Sequence, residues 1–352
     1  MTARVLFILK RREDYSQDIS YSADGLSTGL LNSATFVSNM LTADNIVSEV
    51  VVVVDNNSID AAVTAFKPTH VIIEALWVVP EKFVILSRLH PTVKWIVRLH
   101  SEIPFIAGEG IAMSWILGYL KQPSVDLGIN APRCMGEVQD IMEAAGYSDA
   151  EIDSRVHYMP NYYPVPTTIP RPTRYHHKVW VDVGCFGAIR PLKNQLLQAI
   201  ASLRFANDIG KTLRFHINIG RVEMKGDVIL KNLQDLFAGI SQEGHELVMH
   251  DWVDHATFLQ LAKQMDIGIQ VAFSETFNIV AADMVTSGVP VVVSKEVPWA
   301  AAAIVNPTSS KDIADTMLLV WDNPEGNVSA DIHGLSKYVN ESEDIWLTFL
   351  SQ

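Results

Sequence analysis

Cysteine, long apolar runs and positive charge are all scarce in this sequence of 352 residues. Its two cysteines, Cys134 and Cys185, provide no disulfide framework, which favours a reducing compartment. No segment approaches the roughly 18–20 unbroken apolar residues of a membrane-spanning helix. The first residues run directly into a strand-like segment, Val5–Leu9, and lack the length and cleavage site of a signal peptide. We therefore expect a cytoplasmic protein without an integral membrane span.

Several binding motifs are also absent from the sequence. The formal net charge of −13 disfavours broad electrostatic contact with nucleic acid or with an anionic membrane. No Asp-x-Asp pair occurs, and no spacing resembles a zinc site, so we expect no bound metal. The Gly-x-Gly-x-x-Gly fingerprint of dinucleotide-binding proteins is missing, although Asp55 follows an apolar run where a ribose-binding acid would lie. The sequence therefore argues against an enzyme that uses a dinucleotide cofactor.

The sequence does contain a regular alternation of short apolar runs with segments of helical periodicity. The runs are rich in Val and Ile and nearly unbroken, as strands buried on both faces are. In a first block we predict strands at Val5–Leu9, Val47–Val54, His70–Glu74, Trp95–Leu99, Asp126–Ile129 and Val156–Met159. In a second block we predict strands at Val179–Gly184, Leu213–Ile219, Glu246–His250, Ile267–Val271 and Val289–Val293.

A proline-dense segment, Pro160–Pro172, separates the two blocks and predicts an interdomain linker. Strands that alternate with helices form parallel sheets with right-handed crossovers. The sequence thus predicts an α/β protein with two Rossmann-like, doubly wound lobes that face each other across a cleft. Ligands of such sheets bind at the carboxyl ends of the strands, so the loops after the predicted strands are the places to search for chemistry.

Two carboxylates, Glu275 and Asp283, flank a predicted helix start, with seven residues between them. Glu275 would lie on the loop before the helix and face a sugar, and Asp283, about two turns later, would reach ribose hydroxyls. The unpaired N–H groups of the helix N-terminus between them would favour a diphosphate. Acidic residues near a helix start also occur for stability alone, so the residues by themselves leave both interpretations open.

This passage resembles the acid-x7-acid signature of the retaining GT-B glycosyltransferases, particularly family four. Glu275, Thr276, Phe277 and the later Gly288–Val291 match the family pattern. Asn278 stands where glycine is usual, and Asp283 replaces a glutamate. The resemblance implies a GT-B fold and a nucleoside-diphosphate sugar as the donor substrate. It assigns donor contacts to Glu275, Thr276, Phe277, Asn278, Ile279 and Asp283.

A glycine-bearing loop with two cations, Gly184–Gln195, follows the first predicted strand of the second block. Cations there would counter the charge of a leaving nucleoside diphosphate. The loop resembles a family segment in which Gly187 and Lys193 match, while Ala188 occupies the usual arginine position. We expect Arg190 to supply the missing charge, and exposed basic residues in an ordinary turn are the alternative. Arg221 lies in the next such loop and is either a further cation that points into the cleft or an ordinary loop residue.

In the first block the resemblance points to two loops. Ser22–Leu30 resembles the glycine-bearing loop that closes on the donor phosphate, with Gly29 as the second of the usual paired glycines. His100 ends a predicted strand where family members carry a histidine near the reacting sugar, although an isolated histidine is usually structural. Glu102 and Glu109 are weaker candidates for acceptor contacts.

Two further assignments concern the region after the strand that ends at His250. The family usually has a turn beside the nucleobase here, so we assign Trp252 and Val253 to the base-side wall. We interpret Asp254 and His255 as a helix cap.

The resemblance also divides the chain into functional parts. Residues 1–162 would form an acceptor-side lobe, 163–177 a linker and 178–334 a lobe that binds the nucleotide sugar. Residues 335–352 would form a C-terminal helix that packs back on the first lobe, as is common in the GT-B class.

We therefore expect a retaining glycosyltransferase that moves a hexose or pentose to an unidentified hydroxyl. Its catalytic residues would be His100, Glu275, Lys193 and Arg190. We expect it to need neither a cofactor nor a metal. The alternatives are a sugar-nucleotide epimerase or hydrolase of the same fold, and a nucleotide-sugar-binding protein without catalysis. The acceptor would be a glycan or a small molecule. The glycine-poor motifs also resemble virus-encoded glycosyltransferases, some of which modify DNA bases, but the acidic first block argues against DNA.

Overall fold

The computed structural model describes residues 3–11, 28–172 and 178–351. They divide into two units, each built around its own sheet. The first lobe comprises residues 3–11, 28–164 and 339–351, and the second lobe comprises residues 165–172 and 178–338. The predicted α/β class with two Rossmann-like lobes is confirmed.

The first lobe contains a parallel six-stranded sheet with the strand order β2-β1-β3-β4-β5-β6. Its strands are β1 (Arg4–Lys10), β2 (Val47–Val53), β3 (His70–Glu74), β4 (Lys94–Leu99), β5 (Val125–Ile129) and β6 (Val156–Tyr158). Its helices are α1 (Thr28–Ala43), α2 (Ile59–Phe66), α3 (Lys82–Leu89), α4 (Ile103–Ile106), α5 (Ala112–Leu120), α6 (Pro132–Ala144) and α7 (Asp149–Arg155).

Strand β1 shows why this sheet is buried on both faces. Leu6 and Ile8 pack into one apolar cluster, and Val5, Phe7 and Leu9 pack into another on the opposite face. Successive side chains of a strand point to opposite faces, so an unbroken apolar run requires helices on both sides.

The last residues of the chain complete one of these faces. The ring of Trp346 packs on Phe7, with ring centroids 5.8 Å apart, and its Nε1 donates a hydrogen bond to the carbonyl of Pro160 at 2.9 Å. Trp346 is fully buried, so it contributes a large apolar contact to the core of the first lobe.

The second lobe contains another parallel six-stranded sheet, with the order β12-β11-β10-β7-β8-β9. Its strands are β7 (Trp180–Gly184), β8 (Thr212–Asn218), β9 (Glu246–His250), β10 (Ile267–Gln270), β11 (Val291–Ser294) and β12 (Ile304–Val305). Its helices are α8 (Gln195–Asp208), α9 (Gly226–Gly239), α10 (His255–Ala262), α11 (Ile279–Thr286) and α12 (Ser310–Asp322). A further helix, α13 (Pro324–Ser351), begins among the residues of this lobe.

Every strand predicted from the sequence is present, and each of its ends lies within two residues of the predicted end. The prediction omitted β12, whose two residues are too few to show a pattern, and it began the last helix at Leu335 although α13 starts at Pro324. Residues 159–172 contain no helix or strand, as their proline content predicts. No helix of the described residues is both long enough and apolar enough to cross a membrane.

Asp331 connects helix α13 to a loop of the second lobe through hydrogen bonds. Its Oδ1 accepts hydrogen bonds from the backbone N–H groups of Ala301 and Ala302, both at 2.9 Å. Gly334, one turn later, lies so close to the same loop that a Cβ atom would be 2.3 Å from the carbonyl oxygen of Trp299. The carboxylate of Asp331 is buried, and burial raises its pKa from 3.8 to about 6.

The stability of the protein should therefore depend on the titration of Asp331. Its pKa is higher in the folded than in the unfolded state, so its stabilising contribution is present at low pH and is lost as the pH rises through about 6. The variant Asp331→Asn lacks this titration. Between pH 5.0 and 7.5 the wild-type protein should lose about 1 kcal/mol relative to the variant, measured from thermal unfolding of both. A stability difference that does not change with pH would contradict this assignment.

Candidate active site

The carboxyl ends of the parallel strands in the second lobe lie at one edge of the sheet, where ligands of doubly wound folds bind. The loops after β7, β8, β9 and β10 leave this edge. They carry most of the charged residues that the sequence singled out. In the first lobe, His100 lies at the carboxyl end of β4.

Lys193 and Glu275 form an ion pair that joins the loops after β7 and β10. Their side chains are only 14% and 10% exposed, so the pair is largely withdrawn from water. Burial alone would raise the pKa of Glu275, but the charges of Lys193 and Arg190 hold this pKa below its ordinary value. The carboxylate is therefore ionised at neutral pH and can accept hydrogen bonds from hydroxyl groups.

Asn278 shapes the loop that carries Glu275. Its φ of 62° lies in the left-handed region, which asparagine tolerates better than most side chains do and where the family pattern has glycine. Its Oδ1 accepts a hydrogen bond from Ala281 N at 3.0 Å and caps helix α11. Its Nδ2 lies 3.1 Å from Gln270 Oε1 and 3.3 Å from Glu275 Oε2. The asparagine thus keeps the backbone conformation and also holds the carboxylate.

The residues on either side of Asn278 have different surroundings. The N–H of Thr276 lies 3.3 Å from Glu275 Oε1, and Ile279 is the half-buried first residue of α11. Phe277 is 3% exposed, and its carbonyl accepts a hydrogen bond from Trp299 Nε1 at 2.7 Å. Phe277 therefore anchors the loop to the core of the lobe.

The loop after β7 is held by its glycine and by a single 3₁₀ turn. Gly187 has a φ of 104°, and its N–H donates to Asn218 Oδ1 at 3.0 Å. The turn spans Pro191–Lys193 and ends at Asn194, a left-handed residue that leads into α8. The backbone carbonyl of Leu192 accepts a hydrogen bond from Phe273 N at 2.8 Å, which connects this loop to the one after β10.

Arg190 pairs with Glu223, a residue that the sequence analysis did not single out. Arg190 Nη1 lies 3.3 Å from Glu223 Oε2, and Arg221 Nε lies 2.6 Å from the other carboxylate oxygen. Glu223 thus joins one cation from each of the loops after β7 and β8. The sequence carried no signal for this role, because the contact spans 33 residues.

Trp252 and Val253, the predicted base-side wall, are half-buried in the segment after β9. Trp252 packs so closely on Gly220 that a Cβ atom there would lie 2.6 Å from the Cβ of the tryptophan. The guanidinium of Arg221 lies 5.9 Å from the centre of the Trp252 ring, within cation–π range.

Asp283, the predicted ribose contact, is 2% exposed and pairs with His255. His255 Nε2 lies 2.8 Å from Asp283 Oδ1, and this hydrogen bond raises the pKa of the histidine. The cap interpretation is confirmed for Asp254, whose side chain accepts a hydrogen bond from Thr257 N at the start of α10. His255 is the first residue of that helix and was missed as a partner of Asp283.

In the first lobe, His100 belongs to a buried polar cluster at the carboxyl ends of β3 and β4. Its Nε2 contacts the carboxylate of Glu74, and its Nδ1 lies 3.4 Å from Asn130 Nδ2. Arg98 Nη1 donates to both oxygens of Glu74, at 3.2 and 3.4 Å. Glu74 and Arg98 are both fully buried.

The charges of this cluster decide the protonation of its members. Burial would raise the pKa of Glu74, but Arg98 and His100 hold it below its ordinary value. Burial, aided by Arg98, lowers the pKa of His100 although Glu74 opposes this shift. The geometry fits a neutral His100 that donates from Nε2 to an ionised Glu74. Sequence analysis missed Glu74, although an acid that ends a buried strand was a readable signal.

The other first-lobe candidates are dispersed. Glu102 is buried at the start of α4 and pairs with Arg133 from α6. Glu109 is exposed in the connection between α4 and α5. Gly29 lies in the first turn of α1, and residues 22–27 of the predicted glycine loop are outside the described residues. No group of three His, Cys, Asp or Glu side chains in the described part of the chain is arranged to hold a metal ion.

The fold was compared with those of known proteins. No protein-family model and no curated protein sequence matches this chain. Solved structures do match. Anabaena HepE in complex with UDP has a TM-score of 0.62 and 12% identity, over 98% of this chain and 96% of its own.

Two similar structures are trehalose-phosphate synthases. The UDP-forming α,α-trehalose-phosphate synthase of Burkholderia vietnamiensis has a TM-score of 0.67 and 12% identity, over 100% of this chain and 98% of its own. A trehalose-6-phosphate synthase studied for enzymatic glycosyltransfer with retention has a TM-score of 0.62 and 11% identity, over 84% of this chain and 77% of its own. At such low identity the similarity establishes the fold, which is the GT-B fold of these glycosyltransferases.

Proposed function

We propose that this protein is a retaining glycosyltransferase that transfers a sugar from a nucleoside diphosphate to a hydroxyl acceptor. The observation that carries the proposal is the buried ion pair of Lys193 and Glu275 beside the capped N-terminus of α11. It places an ionised carboxylate, which can bind sugar hydroxyls, next to positive charge, which can bind phosphate. The pattern of this region also resembles family four of the GT-B enzymes.

The proposed donor is a UDP-sugar. HepE was solved with UDP, and the Burkholderia synthase is described as UDP-forming. We assign the donor to the second lobe and the acceptor to the first. Lys193, Arg190 and the N–H groups at the start of α11 would bind the diphosphate, and Glu275 would accept hydrogen bonds from the sugar. Trp252 and Val253 would lie beside the base.

The chemistry follows from these positions. The bond between the anomeric carbon and the diphosphate oxygen breaks, and its electron pair leaves with the diphosphate. The cations and the helix N-terminus stabilise that negative charge. The acceptor hydroxyl attacks the same face of the sugar and transfers its proton to the departing phosphate oxygen, so the anomeric configuration is retained. The family resemblance assigns a catalytic role to His100, and within the first lobe Glu74 and Asn130 contact its ring and fix its orientation.

The acceptor in this proposal is a hydroxyl of a glycan or a small molecule. The net charge of −13 disfavours a DNA acceptor. An epimerase or a hydrolase would convert the donor sugar in the absence of acceptor, and a binding protein would not convert it. Incubation with UDP-sugars, with and without a panel of hydroxyl acceptors, therefore separates the three functions. NMR of the glycoside product would test retention, and an inverted anomer would contradict the proposed mechanism.

Glu275→Gln should impair transfer because the amide keeps the shape of the side chain and loses the charge. We expect UDP release in the presence of acceptor to fall at least about tenfold, which corresponds to a loss of ~1.4 kcal/mol in transition-state stabilisation. Glu246→Gln is a matched control, since Glu246 is exposed on β9 and should change turnover by less than about twofold. Wild-type rates in a folded Glu275→Gln protein would refute the assigned role.

Lys193→Gln and Arg190→Gln should weaken binding of UDP more than binding of uridine, because only the diphosphate carries the charge that these residues neutralise. Loss of one charge-assisted contact should weaken UDP binding about tenfold or more in titration calorimetry. Equal losses for UDP and uridine would show that the two cations do not contact the diphosphate.

The reaction should not need a divalent metal, because Lys193, Arg190 and the N-terminus of α11 supply positive charge to the leaving group. Turnover should remain largely intact in excess EDTA. Loss of transfer in EDTA and its recovery with magnesium would show that the leaving-group step is different from the one proposed.

A further inference from the structure

We propose that Arg221 is a third cation of the diphosphate site and that Glu223 positions it beside Arg190. This inference rests on the proposed function and deepens it, since it assigns part of the donor affinity to a loop outside the Gly184–Gln195 segment. Three independent features of the second lobe support it: the backbone contact between two loops, the shared carboxylate and the packing of Arg221 on Trp252.

The backbone first brings the two loops together. Ile189 N donates a hydrogen bond to Arg221 O at 2.9 Å, and Glu223 N donates to Ile189 O at 2.9 Å. Ile189 and Val222 thus form a parallel bridge outside the main sheet. Gly226 fits closely beneath it, since a Cβ atom there would lie 2.1 Å from the carbonyl oxygen of Ile189. The positions of residues 190 and 221 are therefore fixed relative to each other by main-chain contacts.

The side chains then share one carboxylate. Glu223 binds Arg190 through Oε2 and Arg221 through Oε1, at 3.3 and 2.6 Å. The three side chains are 22%, 17% and 18% exposed for Arg190, Arg221 and Glu223, so solvent screens them only in part. One carboxylate can neutralise only one of the two guanidinium charges. A carboxylate between them also offsets the repulsion that would otherwise separate the two arginines.

The third feature places Arg221 next to the proposed base-side wall. Its guanidinium lies 5.9 Å from the ring centre of Trp252, which packs on Gly220, the residue before Arg221. Arg221 thus lies between Arg190 and Trp252, the aromatic residue that would border the nucleobase. A diphosphate linked to that nucleobase would need a cation at this position. Arg221 would add a positive group from the loop after β8 to those that Arg190 and Lys193 supply from the loop after β7.

Two roles of the Glu223 carboxylate lead to opposite effects on diphosphate binding. A carboxylate that merely competes with the ligand for the arginines would weaken diphosphate binding, and its removal would strengthen it. A positioning carboxylate holds the arginines in the orientation that the diphosphate needs, and its removal would weaken binding. The second role is the one that the contacts favour, because Glu223 holds one guanidinium group with each of its two carboxylate oxygens.

The test is calorimetric titration of the full-length protein with UDP, UMP and uridine, with GDP and ADP alongside. Arg221→Gln should weaken binding of UDP about tenfold, or ~1.4 kcal/mol, and leave uridine binding within about twofold of wild type. Arg204→Gln is the charge-matched control, because Arg204 lies on α8 with a side chain 49% exposed. Thermal unfolding without ligand verifies that each variant is folded.

Glu223→Ala should weaken binding of UDP about fivefold and reduce the preference for UDP over UMP, with Glu223→Gln intermediate because its amide oxygen can still accept one guanidinium hydrogen bond. Unchanged or tighter UDP binding in Glu223→Ala would overturn the positioning role. If Lys193→Gln weakens UDP binding and Arg221→Gln does not, the inference about Arg221 is wrong and the proposed function stands. If the wild-type protein binds none of UDP, GDP and ADP, the proposed function fails and this inference fails with it.

Discussion

The ion pair between Lys193 and Glu275 connects two loops that are 82 residues apart in sequence, and much of the second-lobe site follows from how its charges are kept inside the protein. A buried charge is tolerated only when it is paired and hydrogen-bonded. The structure meets this condition because Lys193 pairs with Glu275 and Asn278 Nδ2 lies 3.3 Å from the same carboxylate. Loss of either partner would leave an uncompensated charge, a change that typically costs about 3–5 kcal/mol.

The first lobe satisfies the same condition with a different set of groups. Arg98 is fully buried and is surrounded by acceptors: Glu74, the carbonyls of Met159 and Pro160, and Asn161 Oδ1. Its guanidinium can donate five hydrogen bonds, which suits a position where several chain segments meet. One consequence is that Glu74 stays ionised beside His100. The orientation of the histidine thus depends on a cation that does not contact it in any described hydrogen bond.

The strands could be predicted from the sequence because strands buried on both faces carry an unbroken apolar signal, as Val5–Leu9 does. The loops that contain Glu275, Lys193 and Arg190 followed from motif resemblance, and the structure brings these three residues into one electrostatic neighbourhood. The pairing of Glu223 with Arg190 and of His255 with Asp283 could not be predicted, because these partners are 33 and 28 residues apart in sequence. Such contacts arise from the packing of loops on one sheet edge, which local periodicity does not encode.

Asn278 has a consequence for how the site responds to a ligand. A glycine at this position would have far more backbone conformations available, and freezing them would cost free energy when the loop becomes ordered. Asparagine reduces that freedom, and its side chain forms hydrogen bonds with Ala281 N, Gln270 and Glu275. The carboxylate is consequently preorganised before any sugar arrives, so selection among sugars would depend on the fit of hydroxyl groups to a fixed acceptor and less on rearrangement of the loop.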